Sequence, residues 1–233
     1  LDVADPRRIF SVVEYEQRAR GAIRDIIARK NVPIIVGGSG MYIDAVLFGA
    51  PYPAVPPNTA LRKKLETLPL HTLFLMLTKK DHRRARSIDR TNKRRLIRAL
   101  EIIAATGAPI PQLKKRSRYN ALIIGIRRES KNLRRAIKRR LTKRIKEGLI
   151  AEVRHLHKRG VTWKRLGELG LEYRFVSGHL SGAYGKEEMT RTLLSAVVKY
   201  AKRQMTWFRQ YPEAHWIRDK KQALRRVKKF LNR

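Results

Sequence analysis

The chain has 233 residues, of which 42% are hydrophobic, so it is long enough to bury one large core or a core that carries an insertion. It contains no cysteine, which excludes disulfides, thiolate catalysis and cysteine-ligated zinc sites. No apolar run approaches the roughly 20 residues of a membrane helix, and no secretory signal pattern begins the sequence. We therefore expect a soluble, cytoplasmic protein with no membrane partner.

Charge is distributed unevenly along the chain. It carries 55 lysine and arginine residues against 19 aspartate and glutamate residues, a formal net charge of +36. Residues 1–60 hold 7 basic and 6 acidic side chains, so the remainder holds 48 and 13, a net charge of +35. This basic body is typical of a protein that binds a polyanion, and it favours a nucleic acid over a basic surface of another kind, such as that of a ribosome-associated protein.

The first 50 residues have the pattern of an α/β core. Apolar side chains at helical spacing predict a helix over 12–28, and the apolar run 32–36 predicts a short buried strand of a parallel sheet. The sequence GGSG at 37–40 follows, and a helix is predicted from near Met41 to Gly49. A glycine loop between a strand and a helix is typical of phosphate binding, although a tight turn with Ser39 capping the helix fits the same residues.

A proline-rich boundary separates this core from a helical region. Residues 51–58 read PYPAVPPN, and four prolines so close together exclude regular structure there. Residues 60–106 are predicted to be helical. The clearest helix lies within TNKRRLIRALEIIAATG at 91–107, where an apolar stripe and a row of arginines occupy different faces. The arginine face fits either simple solvation or contact with RNA.

The rest of the chain alternates between helices and two further strands. An apolar run at 121–126 predicts a second buried strand, and residues 215–217 predict an edge strand. Helices are predicted from Leu133 to near Gly148, from there to Gly160, over about 186–211, and at the C-terminus.

Four segments, taken in order, carry a resemblance to a known family. They read VGGSGMYIDAVLFG, RRLIRALE, GLIAEVRHLHKRG and YAKRQMTWFR. The chain resembles the tRNA dimethylallyltransferase (tRNA isopentenyltransferase) family over essentially its whole length. The resemblance implies a P-loop-kinase-like α/β core with a parallel sheet, formed by residues 1–50 and 119–233. It also implies a helical insertion at 51–118 that binds the anticodon arm.

The same resemblance implies an activity and its partners. A dimethylallyl group would pass from dimethylallyl diphosphate to the exocyclic amine of the adenine beside the anticodon. The partners would be that diphosphate and a tRNA anticodon stem-loop. The cofactor would be Mg²⁺, and the protein would be a monomer. Such a reaction needs hydrogen-bond donors or cations at the departing diphosphate and a base for the amine proton.

Site residues follow by position from the resemblance. The diphosphate vicinity would be formed by Gly37, Gly38, Ser39, Gly40 and Arg203, and no metal ligand is assigned. Contacts with tRNA would come from Ser39, Arg62, Arg94, Arg95, Arg98, Lys202, Arg203 and Gln204. Two features stay open: Val198-Lys199 departs from the threonine-arginine of the family, and Glu172-Tyr173-Arg174 has no assigned role. Trp207 and Phe208 are expected in the core, because they continue a helical apolar stripe.

No catalytic residue is assigned. The resemblance places the Walker A loop and the general base before Leu1, and no G-x-x-x-x-G-K-[ST] motif occurs in the 233 residues. We therefore expect this chain by itself to be inactive and less stable than a chain that includes those elements. Two alternatives remain: a non-catalytic RNA-binding protein derived from the family, and a transferase that acts on free adenine nucleotides.

Overall fold

The computed structural model describes residues 3–49, 55–111 and 117–232. In these ranges the protein is mostly helical, with one small parallel sheet. No helix there is long and apolar enough to cross a membrane. The elements, in chain order, are α1 (Val12–Ala28), α2 (Gly40–Phe48), α3 (Thr59–Thr67), α4 (Leu70–Lys80), α5 (His82–Ser87), α6 (Lys93–Thr106), β1 (Ile124–Ile126), α7 (Ser130–Lys146), α8 (Leu149–Lys158), α9 (Trp163–Leu169), α10 (Leu171–Leu180), α11 (Lys186–Phe208), β2 (His215–Ile217) and α12 (Lys220–Leu231).

Short polar side chains begin several of these helices. The side chain of Ser11 accepts a hydrogen bond from Glu14 N at the start of α1, and Asn58 caps α3 by accepting from Leu61 N. These contacts satisfy backbone donors that have no partner inside the helix. At the C-terminal end of α6, Gly107 adopts φ 68°, a left-handed conformation that favours glycine. The helices predicted over 12–28, 60–106 and 186–211 are confirmed, with small shifts at their ends.

The chain divides into two compact units. Unit 1 comprises Leu1–Asp44 and Tyr119–Arg233, and unit 2 comprises Ala45–Arg118, so the division falls within α2. Among the described residues, the sheet consists of β1 and β2, which pair in parallel in the register Ile124↔His215. The predicted strand at 215–217 is thereby confirmed.

The predicted strand at 32–36 is wrong. The structure assigns no strand to these residues, and Ile34 and Val36 are 80% and 90% exposed. Within the described ranges, β1 and β2 pair only with each other, so the segment has no neighbour that could complete a hydrogen-bonded ladder. The run 121–126 forms a strand only from Ile124, and Ile126 is 68% exposed, so this strand is not fully buried either.

Each unit has its own apolar core. In unit 2, helices α3 to α6 enclose Leu73, Leu77 and Leu96, all fully buried. In unit 1, α8 to α11 enclose Leu149 and Met189 in the same way. Burial of these aliphatic side chains, at roughly 1.5–3 kcal/mol for each, is the main force that holds the helices together.

Candidate functional site

The glycine loop, residues 37–40, packs directly on α11. A Cβ atom on Gly38 would overlap the side-chain amide of Gln204, and one on Gly40 would overlap the indole of Trp207. Neither glycine has a positive φ, so both are needed for close approach rather than for backbone conformation. The fold therefore brings together two segments that the sequence places far apart, the GGSG loop and the KRQ segment.

Ser39 begins α2 through its backbone and leaves its side chain exposed. Its carbonyl accepts hydrogen bonds from Tyr42 N and Ile43 N, at 3.0 and 3.1 Å. Its hydroxyl makes no capping bond to any residue that the structure describes, so the alternative of a simple side-chain cap is wrong. Next to Ser39, the N–H groups of Gly40 and Met41 in the first turn of α2 have no bonded partner among the described residues, and such donors suit an anionic oxygen.

Two contacts within unit 1 hold the first part of α2, up to Asp44, in place. The hydroxyl of Tyr211 donates a hydrogen bond to the carboxylate of Asp44. Burial, reinforced by that carboxylate, raises the pKa of the Tyr211 hydroxyl, which therefore stays protonated. The ring of Tyr42 stacks on that of Tyr15 with centroids 4.3 Å apart. The loop at the start of α2 is thus positioned by α1 and by the end of α11.

The three residues of the KRQ segment (Lys202, Arg203 and Gln204) differ in their surroundings. Gln204 is half-buried against the loop, whereas Lys202 and Arg203 are exposed. Lys202 lies two residues before Gln204, so it occupies a different face of α11. The guanidinium of Arg203 lies 5.7 Å from the ring centroid of Tyr200. Of the predicted residues in this segment, Gln204 meets the glycine loop, and Lys202 does not.

A second group of predicted residues gathers around a buried carboxylate in unit 2. Glu101 of α6 is 1% exposed. It accepts hydrogen bonds from Arg62 through both carboxylate oxygens at 2.9 Å, from Arg98 at 2.5 Å and from Asn58 N at 2.6 Å. Burial alone raises the pKa of Glu101, but the hydrogen bonds from Arg62, Arg98 and Asn58 outweigh it and lower the pKa to about 2.

The four arginines of unit 2 that are predicted to bind tRNA therefore fall into two pairs. Arg62 and Arg98 are held by Glu101, yet their side chains remain 35% and 33% exposed, so each can still reach a ligand. Arg94 and Arg95 are exposed, and Arg95 lies 4.0 Å from Asp89, at the limit of an ion pair. Glu101 was not among the residues predicted from the sequence. The sequence did contain a signal for it, because a charged residue lies there on the apolar face of a predicted helix. Charged residues are rarely buried unless they are paired, so this position indicates a buried ion pair.

The segment Glu172-Tyr173-Arg174 lies in the first turn of α10 and joins helices together. The hydroxyl of Tyr173 donates to the carboxylate of Glu152 on α8, which also accepts from Arg144 of α7 at 2.6 Å. Burial, followed by the hydrogen bond to Glu152, raises the pKa of Tyr173 to about 12. Glu172 lies 3.9 Å from Arg144. These contacts indicate a structural role for the segment Glu172-Tyr173-Arg174, to which the sequence had assigned none.

The described part of the chain contains no group of three or more histidine, aspartate or glutamate side chains that could hold a metal ion. In the loop region the nearest carboxylate on α2 is that of Asp44, which is already bonded to Tyr211. Mg²⁺ is commonly held by one or two carboxylates together with substrate phosphate and water oxygens, so the described residues do not supply a complete set of ligands for it.

The fold and the site define an α/β protein whose glycine loop packs on a basic helix and whose separate helical unit presents arginines. Residues 1–211 match the family model described as IPP transferase. The tRNA dimethylallyltransferase of Pelotomaculum thermopropionicum is 35% identical over 225 residues, which cover 94% of this chain and 72% of that protein. The tRNA dimethylallyltransferase 1 of Syntrophus aciditrophicus is 38% identical over 218 residues, or 93% and 71% of the two chains. The chain belongs to the IPP transferase family.

Solved structures give the same picture. The full-length tRNA isopentenylpyrophosphate transferase of Bacillus halodurans is similar with a TM-score of 0.68 and 32% identity, covering 100% of this chain and 76% of that one. A eukaryotic dimethylallyltransferase, solved in snapshots of its action on tRNA, has a TM-score of 0.72 over 93% of this chain and 59% of its own. At 19% identity, this second likeness concerns the fold alone.

Proposed function

We propose that the protein is a tRNA dimethylallyltransferase. It transfers a dimethylallyl group from dimethylallyl diphosphate to the exocyclic amine of the adenine beside the anticodon. The observation that carries this proposal is the packing of the glycine loop on α11 at Gln204, because it gathers donors for an anionic oxygen at one place in unit 1. Membership of the IPP transferase family and the names of the relatives support it.

Each group at the glycine loop has a task in this reaction. The N–H groups at the start of α2 and the Ser39 hydroxyl donate hydrogen bonds to diphosphate oxygens or to the target nucleotide. Arg203, which precedes Gln204 on α11, is assigned to the diphosphate by the family resemblance, and its positive charge would stabilise the departing group as the carbon–oxygen bond breaks. Gln204 has an amide that both donates and accepts, so it suits a base edge or a phosphate oxygen.

The helical insertion, residues 51–118, binds the anticodon arm in this proposal. Arg62 and Arg98 offer guanidinium groups in fixed orientations, because Glu101 holds both. Arg94 and Arg95 offer mobile positive charge at the surface of α6. Guanidinium groups pair with phosphates through two parallel hydrogen bonds, which suits the RNA backbone.

Three parts of the reaction are left unassigned to these residues. The proposal includes a P-loop-kinase-like core, but the 233 residues contain no Walker A lysine and no residue is named as general base. Magnesium is expected from the family resemblance, and the described residues contain no group of three or more ligand side chains to which it can be assigned.

The proposal is tested by titrating the chain with an unmodified anticodon stem-loop that carries the target adenine. A matched stem-loop has that adenine replaced by uracil, and both titrations are repeated at several salt concentrations. We expect the adenine-bearing loop to bind at least about tenfold more tightly, with a ratio that persists as salt rises, because backbone contacts alone are screened. Equal affinities that fall together with salt would contradict the proposal.

A further inference from the structure

Helix α7 is the most basic element of the described chain. Its 17 residues include nine lysines and arginines and no acidic residue. These basic residues are Lys131, Arg134, Arg135, Lys138, Arg139, Arg140, Lys143, Arg144 and Lys146.

The apolar side of α7 is used within the protein. Leu133, Ile137, Leu141 and Ile145 recur every four residues along one stripe, and Leu141 is buried. The helix packs against α8 and α11. Since this side is anchored, α7 has no apolar face left to insert into a lipid surface, and its other side is held in a fixed orientation.

The opposite side of α7 presents free positive charge. Three of the basic residues have acidic neighbours: Arg140 with Glu172 at 3.6 Å, Lys143 with Glu147 at 3.5 Å, and Arg144 with Glu152 at 2.6 Å. The others are exposed and have no carboxylate within 4 Å among the residues that the structure describes. They are Lys131, Arg134, Arg135, Lys138, Arg139 and Lys146.

These charges repel one another along the helix. Lys131, Arg135 and Arg139 follow at intervals of four residues, and Arg134 and Lys138 form a second such pair. Like charges four residues apart are neighbours on a helix surface and destabilise it. A bound polyanion relieves this repulsion and releases its own counterions, so both effects favour association.

We propose that this exposed face of α7 binds the phosphate backbone of RNA. It is a surface distinct from the glycine loop and from the arginines of unit 2, and the proposal rests on RNA being the substrate. The face reads charge rather than sequence, because it consists of lysine and arginine side chains with no aromatic residue for base stacking. The face should therefore raise the affinity for any RNA whose backbone lies along it, whatever the sequence of that RNA.

The test compares two variants with the same change in charge. In the first, Lys131, Arg135, Lys138 and Arg139 on α7 are each changed to Gln. In the second, Lys221, Arg225, Arg226 and Lys229 on α12, all exposed, are each changed to Gln. Each set removes two lysines and two arginines, and Gln preserves helix propensity. Circular dichroism and thermal midpoints verify that both variants fold.

Affinity for a complete unmodified tRNA is measured by filter binding at several salt concentrations. We expect the α7 variant to flatten the slope of log K against log salt by roughly three, since each lost phosphate contact removes about 0.7–0.9. We expect the α12 variant to change the slope by less than about one. Equal slopes for the two variants, or an α7 slope equal to that of the unmodified protein, would overturn the proposal.

The outcome is separable from that of the proposed function. Preference for the adenine-bearing stem-loop reports on the proposed function, whereas the salt slope reports on α7. If the α7 variant keeps the salt slope of the unmodified protein while the preference for adenine persists, this inference alone is rejected. Flattening of the slope in a protein without adenine preference rejects the proposed function alone. Binding to vesicles containing phosphatidylserine that depends on α7, with RNA binding unchanged, also overturns the inference in favour of a lipid surface.

Discussion

Glu101 and Arg62 lie 39 positions apart in the sequence and meet through two parallel hydrogen bonds, both 2.9 Å long. The carboxylate also receives the guanidinium of Arg98, so one buried acid on α6 orients two arginines on two helices. This arrangement joins packing to function. The same bonds that connect α3 to α6 in the core of unit 2 fix the orientation of two guanidinium groups, which in the proposed function pair with RNA phosphates.

Replacing Glu101 by Gln is expected to lower the free energy of unfolding by about 3 kcal/mol. The neutral amide leaves two guanidinium groups without their counter-charge, and breaking a half-buried or buried ion pair from one side is costly. Glu66→Gln on the exposed surface of α3 is the matched control. Urea denaturation followed by circular dichroism measures both, and equal midpoints for the two variants would contradict the structural role of Glu101.

The low pKa of Glu101 predicts a defined pH dependence. Its value is about 2 in the folded protein, against an ordinary value of 4.5. Because the folded pKa is depressed, the carboxylate contributes stability above about pH 4.5, and this contribution is lost as the pH falls toward 2. The stability difference between the unmodified protein and Glu101→Gln should therefore shrink over that interval. A difference that stays constant from about pH 6 to 2 would show that another group controls the effect.

Gly38→Ala is expected to weaken adenine-dependent RNA binding by tenfold or more. The added methyl group meets the Gln204 amide, so either the loop or α11 must shift. Gly37→Ala is a stringent control, since a Cβ there meets no atom within 4 Å. Combining Gly38→Ala with Gln204→Ala removes the overlap and measures the coupling between the two sites. Equal effects of Gly37→Ala and Gly38→Ala would rule out the close approach as the cause.

The two pairs of arginines predict different behaviour on substitution. Arg94→Ala should reduce RNA affinity and flatten the salt slope by about one, with unfolding free energy within about 0.5 kcal/mol of the unmodified protein. Arg62→Ala should reduce both affinity and stability, because it also removes bonds to Glu101. Parallel titrations and denaturation curves distinguish the cases. A stability loss in Arg94→Ala equal to that in Arg62→Ala would contradict the division into two pairs.

The helices were predictable from the sequence, and the contacts between distant segments were not. Apolar periodicity over 12–28 and 91–107 identified α1 and α6, because each has one buried face. The strand prediction at 32–36 was wrong because the composition of this run suits a central strand, but a strand also needs a hydrogen-bonded neighbour. The local sequence does not reveal whether such a neighbour is present. The partners of Glu101 and the meeting of Gly38 with Gln204 depend on tertiary packing, so spacing along the chain could not disclose them.

Dimethylallyl transfer to the adenine beside the anticodon is best tested by detecting its product. The complete reading frame that encodes this chain is expressed in a bacterial strain that lacks its own dimethylallyltransferase, and digested tRNA is analysed by mass spectrometry. We predict that N6-dimethylallyladenosine appears with the unmodified protein and with Gly37→Ala, and is strongly reduced with Gly38→Ala. Accumulation of folded protein that binds tRNA without any dimethylallyladenosine would contradict the claim and favour an RNA-binding protein without catalysis.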